Sequence, residues 1–223
     1  MPLNLAIDGP VGAGKSSIAA EVARRLGILH LDTGAMYRAV GKTALDRGVA
    51  LDDEAALTRL CGETAITVSH EGDGQHTYVD GADVTGLIRT PEVSMAASTV
   101  AKVGGVRRAM VALQQKLAAL TPMLLDGRDI GTRVLPDATV KIYLTASAEE
   151  RARRRWLEMN AKGAPDTFEH VLEDLRRRDH QDMNREVDPL RAADDAVIVD
   201  STSMSFDEVV EHILNIVEEK QHG

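Results

Sequence analysis

Gly9-Pro10-Val11-Gly12-Ala13-Gly14-Lys15-Ser16 decides how this chain is read. It follows a short apolar run, Leu3 to Ile7, of the kind buried on both faces in a parallel sheet. It precedes a helical pattern from about Lys15 to Leu26, with Ile18, Val22 and Leu26 on one face and Gly27 as the stop. In that context the glycines at 9, 12 and 14 let successive backbone N–H groups turn inward, and the helix start adds the positive end of its dipole. Lys15 supplies a mobile charge for the terminal phosphates and Ser16 a hydroxyl for Mg²⁺. Strand, loop and helix together point to a nucleoside triphosphate. They leave open what becomes of its last phosphate.

Outward from the loop, further buried-strand patterns are Ile28 to Leu31, Met123 to Leu125, Val140 to Leu144 and Ala196 to Val199. Helical patterns separate them, which predicts an α/β fold with a doubly wound parallel sheet. The last helix opens on a capping box, Ser205 with Glu208, and carries Phe206, Val209, Val210, Ile213 and Val217 on one stripe, so it is expected to pack on the sheet. Two stretches interrupt the alternation. Between Ala65 and Val84 the period becomes strand-like, with turns at Glu71-Gly72-Asp73-Gly74 and Asp80-Gly81, so a small antiparallel meander is expected. From Ser147 to about Arg185 the chain is polar and helical, opening on a second capping box (Ser147 with Glu150) and broken at Lys162-Gly163-Ala164-Pro165. The expected organisation is one domain with a core at 1–60, 92–146 and 188–223, an insert at about 61–91 and a helical lid at about 147–187.

Composition narrows the partners. A net charge of -9 argues against a general nucleic-acid binder, although arginines cluster at 151, 153, 154 and 155 and at 176, 177 and 178. Such clusters either gather a small anion or form a solvated helix face laced with ion pairs. No run of eighteen apolar residues is present, so no membrane partner is expected. The N-terminus shows no secretory leader pattern and the single cysteine, Cys61, suits a reducing compartment; the expected location is the cytoplasm. The seven histidines show no metal spacing. A guanine-reading Asn-Lys-x-Asp segment is absent, which turns the reading from switch GTPases toward a small-molecule kinase whose lid closes over the phosphoryl group.

Two further segments follow strand ends: Leu31-Asp32-Thr33-Gly34-Ala35-Met36-Tyr37-Arg38, and Asp126-Gly127-Arg128-Asp129-Ile130-Gly131-Thr132. With the phosphate loop they closely resemble the bacterial cytidylate kinase family, nucleoside monophosphate kinases of the phosphate-loop fold. The resemblance runs from Leu5 to the last helix and takes in Ile88-Arg89-Thr90, Ala96-Ala97-Ser98, Pro136-Asp137-Ala138 and Asp182-Met183-Asn184-Arg185. The 65–84 meander matches the enlarged monophosphate-binding insert of the family's bacterial branch.

The resemblance implies ATP and CMP or dCMP as substrates, with Mg²⁺ accompanying ATP through Ser16. ATP would lie on Gly9, Pro10, Val11, Gly12, Ala13, Gly14, Lys15, Ser16 and Ser17. Ser98, Arg107 and Asp129 would read the cytosine edge, Arg38, Arg128 and Arg185 would hold the monophosphate, and Asp182 would accept from the ribose hydroxyls. Thr33 stands where the family often has serine, and either hydroxyl can donate there. Lys15, Arg128, Arg154, Arg178 and Arg185 are the expected catalytic charges, with Arg151 and Arg155 as further lid candidates. Helical continuation would put Arg178, Asp182 and Arg185 on one face, at i, i+4 and i+7. Asp126 has two readings, assisting Mg²⁺ through water or holding its own turn. Trp156 is expected to anchor the lid, and Cys61 to be a small core residue. The alternatives are another acceptor, UMP or AMP, or a non-catalytic ATP-binding module. A monomer is expected, since nothing in the sequence demands a dimer.

Overall fold

The computed structural model describes residues 3–72, 74–161, 163–164 and 166–222. The expected turn residue Asp73 and the expected break residues Lys162 and Pro165 lie outside them, as do the chain ends at 1–2 and 223. In chain order the elements begin with β1 (Asn4–Asp8), α1 (Lys15–Leu26), β2 (Leu29–Asp32), α2 (Thr33–Asp46) and α3 (Glu54–Glu63). Then come β3 (Ile66–Glu71), β4 (Gly74–Val79), β5 (Ala82–Asp83), α4 (Pro91–Val100) and α5 (Gly104–Ala118). After these come β6 (Met123–Gly127), a π-helical turn (Ile130–Val134), β7 (Val140–Thr145), α6 (Ala148–Ala161), α7 (Phe168–Asn184), β8 (Val197–Asp200) and α8 (Phe206–His222).

The chain divides into two compact units. One comprises residues 3–28 and 124–223. Its parallel sheet runs in the order β6-β1-β7-β8. Leu5 lies opposite Val140 and Asp8 opposite Tyr143, while Ile142 lies opposite Val197. β1, β6 and β7 read as plain apolar runs because both faces are covered, whereas β8 at the end of the order leaves Ile198 exposed. Leu5, Ile7, Leu124, Ile142 and Leu144 are buried with Ile18 and Val22 of α1 and Val209, Val210, Ile213 and Val217 of α8, while Phe206, expected on the same stripe, is exposed in the first turn of α8. Within the same unit α6 packs on α7. Ala152, Val171 and Leu175 form a separate small core there, joined by Trp156, whose indole N–H donates to Asp166 O at 2.8 Å. The tryptophan thus anchors the helical pair as expected.

The other unit comprises residues 29–123. Its helices pack α2 on α4 and α3 on α5. Both contacts are closest at a glycine: a Cβ on Gly41 would stand 2.9 Å from Ala97 N, and one on Gly105 would stand 2.1 Å from Thr58 Oγ1. The expected meander is present as a three-stranded antiparallel sheet in the order β3-β4-β5, with Ile66 opposite Val79 and Glu71 opposite Gly74. Cys61 is buried in α3, and burial pushes its thiol up to about 11, so it is an inert core residue.

Candidate functional site

In the first unit the site grows from the C-terminal end of β1. Gly9 takes φ 152°, and a Cβ there would stand 1.9 Å from Leu144 O, so the strand can turn into the loop only at glycine. Gly14, at φ 83°, caps α1 without offering a side chain to the first-turn N–H groups. No side chain caps those donors and no acidic residue stands in that turn, an arrangement that suits an anion. Lys15 is buried, and its Nζ donates to Pro10 O at 2.7 Å. Burial, then the Arg128 guanidinium, pulls its pKa down to about 7, against Asp126, Asp182 and Asp8. Ser16 Oγ donates to Asp126 Oδ2 at 2.8 Å, so the structure places Asp126 on the hydroxyl that the sequence assigns to Mg²⁺.

The turn after β6 carries the next two groups. Arg128 Nε donates to Asp182 Oδ2 at 2.7 Å, joining β6 to α7. Burial alone would lower the Arg128 pKa, but Asp182, Asp126 and Asp179 outweigh it and hold it above the usual range. Burial likewise works to raise Asp182, and Arg128, Arg185 and Arg178 outweigh it and keep the carboxyl low. Asp129 lies 3.4 Å from Arg185 Nη2, both side chains nearly solvent-free. Arg185 is not on the helix: α7 ends at Asn184, and Arg185 turns to an extended φ of -66° and ψ of 145°. The anticipated helical face therefore stops one residue short. Asp188 just beyond takes a positive φ and Pro189 follows, which a helix could not continue through. Arg185 Nε donates to Asp188 O at 2.6 Å, and the pair with Asp129 is made from the loop.

Asp8 was absent from the sequence reading. Its carboxylate, buried at the end of β1, accepts from Ile130 N and Gly131 N, both at 2.7 Å. It thereby pins the π-helical turn that follows Asp129, where Leu135 N reaches back to Ile130 O. Burial, against those two N–H donors and with Asp129 adding to it, raises its pKa to about 6.

The lid arginines divide by partner. Arg151 is buried and fully engaged: Nε donates to Ala146 O at 2.9 Å, Nη1 to Val11 O at 2.8 Å, and Nη2 to Asp179 Oδ2 at 2.7 Å. Arg154 donates to Glu150 and, through both terminal nitrogens, to Ser201. Arg155 pairs with Glu158 at the surface. Burial, then the Arg128 guanidinium, draws Arg178 below the usual arginine range, against Asp174 and Asp182.

In the second unit Asp32 organises the residues after β2. Its Oδ1 caps α2 through Ala35 N at 3.0 Å and its Oδ2 accepts from Arg38 Nη2 at 2.7 Å. Thr33 is buried as the first residue of α2. Ser98 lies on α4 and Arg107 on α5. Arg107 is only 2% exposed, donates to Ala101 O at 3.2 Å and holds its guanidinium 5.8 Å over the Tyr37 ring. The sequence reading found Arg38 and missed its holder, although an aspartate directly before a helical pattern is the usual capping signal.

The family model for cytidylate kinase matches residues 5–219. A cytidylate kinase of Bacillus licheniformis is 53% identical over 220 residues, covering 98% of this chain and 97% of its own. One from Shouchella clausii is 51% identical over 216 residues, covering 97% and 96%. Among solved structures, an uncharacterized protein from Eubacterium ventriosum superposes with a TM-score of 0.53 at 12% identity, over 98% of this chain and 99% of that one, which is a likeness of fold.

Proposed function

Because the chain belongs to the cytidylate kinase family and is thereby a nucleoside monophosphate kinase, we propose that it transfers the γ-phosphoryl group of ATP to CMP and dCMP in preference to UMP and AMP. What supports this reading beyond family membership is the charge set of one unit. Lys15, Arg128 and Arg185 are drawn together with Asp182 and Asp129 just past the ends of β1 and β6.

In this reading Gly9 to Ser17 cradle the ATP phosphates, with Lys15 exchanging Pro10 O for a phosphate oxygen. Arg38, Arg128 and Arg185 are guanidinium forks suited to an acceptor phosphate, the role the resemblance implies for each. Asp182 accepts from the ribose hydroxyls, and Thr33 donates to the acceptor. Ser98, Arg107 and Asp129 read cytosine, the carboxylate taking the exocyclic amine. Arg178 spreads charge in the transition state. Arg154 does so only by giving up Ser201, which makes it a residue of the closed lid. The Ser16 hydroxyl and Asp126 carboxylate are hard oxygen donors and fit Mg²⁺. When bound with ATP, the ion neutralises phosphate charge. No general base is required, because the attacking monophosphate oxygen is already ionised near neutral pH. The protein's work is to align two anions and spread the charge of a loose transition state.

A steady-state panel of CMP, dCMP, UMP and AMP with ATP tests the reading, run on the native chain and on Asp129→Ala. Loss of Asp129 also removes one partner of Arg185, which handicaps every acceptor alike. The CMP-to-UMP ratio of kcat/KM therefore isolates base reading, and it should fall about a hundredfold. An unchanged ratio would show that Asp129 does not read the amine. ATP binding without ADP formation with any acceptor would favour the non-catalytic module.

A further inference from the structure

Two side chains of the small antiparallel sheet bond to the β2 backbone. His70 of β3 places Nε2 2.6 Å from His30 O. Gln75 of β4 does more: its Oε1 accepts from Asp32 N at 2.7 Å, and its Nε2 donates to Asp32 O at 3.3 Å. Nε2 also reaches Thr77 Oγ1 at 3.3 Å, and Thr77 N is tied to Thr85 Oγ1 at 2.8 Å, so the amide is held from behind. A side-chain amide is the group suited to this task, since it offers acceptor and donor side by side and satisfies both backbone atoms of one residue.

The residue so gripped is the one that caps α2 and holds Arg38. Asp32 spends one carboxylate oxygen on Ala35 N and the other on Arg38 Nη2, while the buried Arg38 Nε has no protein partner. Fixing the Asp32 backbone therefore fixes the carboxylate, and the carboxylate fixes the guanidinium with one buried donor still to satisfy. We propose that Gln75 is a positioning residue of the acceptor site, setting Arg38 for the acceptor's phosphate through Asp32. This rests on the reading of Arg38 as a phosphate holder. It gives the insert a specific task in catalysis: one of its side chains presets a substrate-binding arginine in the same unit.

The test is a double-mutant cycle of Gln75→Ala and Arg38→Ala, with KM measured separately for CMP and ATP. Gln75→Ala should raise KM for CMP about tenfold and leave KM for ATP within about twofold, as expected for a misplaced positioning group. In the Arg38→Ala background the same change should add almost nothing. His70→Ala, which removes the other bond to β2 without touching Asp32, should leave both KM values as they are. If Gln75→Ala does not fold, Gln75→Glu replaces it, since it keeps the acceptor, loses the donor and must show the same selective rise. Additive effects, equal rises for both substrates, or an equal rise in His70→Ala would overturn the proposal. An Arg38→Ala variant with unchanged KM for CMP would instead overturn the reading of Arg38, a result distinct from a failure of Gln75 alone.

Discussion

Lys15 carries its charge at a cost. Burial and Arg128 bring its pKa to about 7, so at pH 8 the free protein holds it mostly neutral, against Pro10 O. Phosphate oxygens would restore the ordinary lysine range, and the proton must come from solvent. ATP binding at pH 8 should therefore take up about one proton, and at pH 6 almost none, because the ammonium is then already present. Calorimetry in two buffers of different ionisation enthalpy reads this directly; equal heats at pH 8 would contradict it. The sequence made Lys15 legible because its role is local to the loop. Asp8 and Gln75 were not legible, because each acts on backbone groups that only the fold brings near, in the case of Asp8 more than a hundred residues away. Asp32 acts locally, on Ala35 N and the Arg38 guanidinium, and its capping signal was there to be read.

Capping boxes were legible to different degrees. Ser205 and Glu208 make theirs in both directions, Ser205 N to Glu208 Oε2 at 2.7 Å and Glu208 N to Ser205 Oγ at 3.3 Å. The Ser147 box is made only one way, through Glu150 N. Arg153 and Arg154 take the Glu150 carboxylate, and Thr202 takes Ser147 N. The arginine-rich helix α6 is likewise part ion-paired surface and part buried contact, a division fixed by which face of the helix meets α7. Arg151 is its structural member. It ties α6 to α7 through Asp179 and to the phosphate loop through Val11 O. Arg151→Ala would leave the Asp179 carboxylate buried with neither oxygen paired, since Oδ1 already has no partner. The expected loss is about 3–5 kcal/mol of unfolding free energy, partly recovered by Asp179→Asn in the same chain. Urea unfolding of the three variants decides it; a loss under about 1 kcal/mol would mean the pair is not a clamp.

For the molecule as a whole, the parallel strands were legible to within one or two residues, because the central ones read as bare apolar runs, whereas β4 begins three residues before the expected Thr77. The partner of each arginine was not, since charge patterns on a helix look alike whether they face solvent or a ligand. Those charges also set the response to acid. Glu21, bonded by Arg24 and Arg25, and Glu150, bonded by Arg153 and Arg154, are held at about 2, and Asp182 is held low despite its burial. A depressed carboxyl contributes stability that is lost as pH falls through its folded pKa. Asp8 has the opposite sign: raised to about 6, it favours the folded state below its ordinary 3.8 and loses that contribution as pH rises through 6. Because the depressed group is larger, the thermal midpoint should drop as pH is taken from about 4.5 toward 2, as scanning calorimetry would show. A midpoint that holds or rises there would contradict the assignment. Asp8 also bears on any attempt to transplant specificity. The carboxylate that closes β1 holds the peptide groups that follow Asp129, so residues 126–134 are not a detachable cassette. A graft of that segment into another kinase keeps the shape of the turn after Asp129 only if the recipient supplies an acidic residue at the equivalent of position 8.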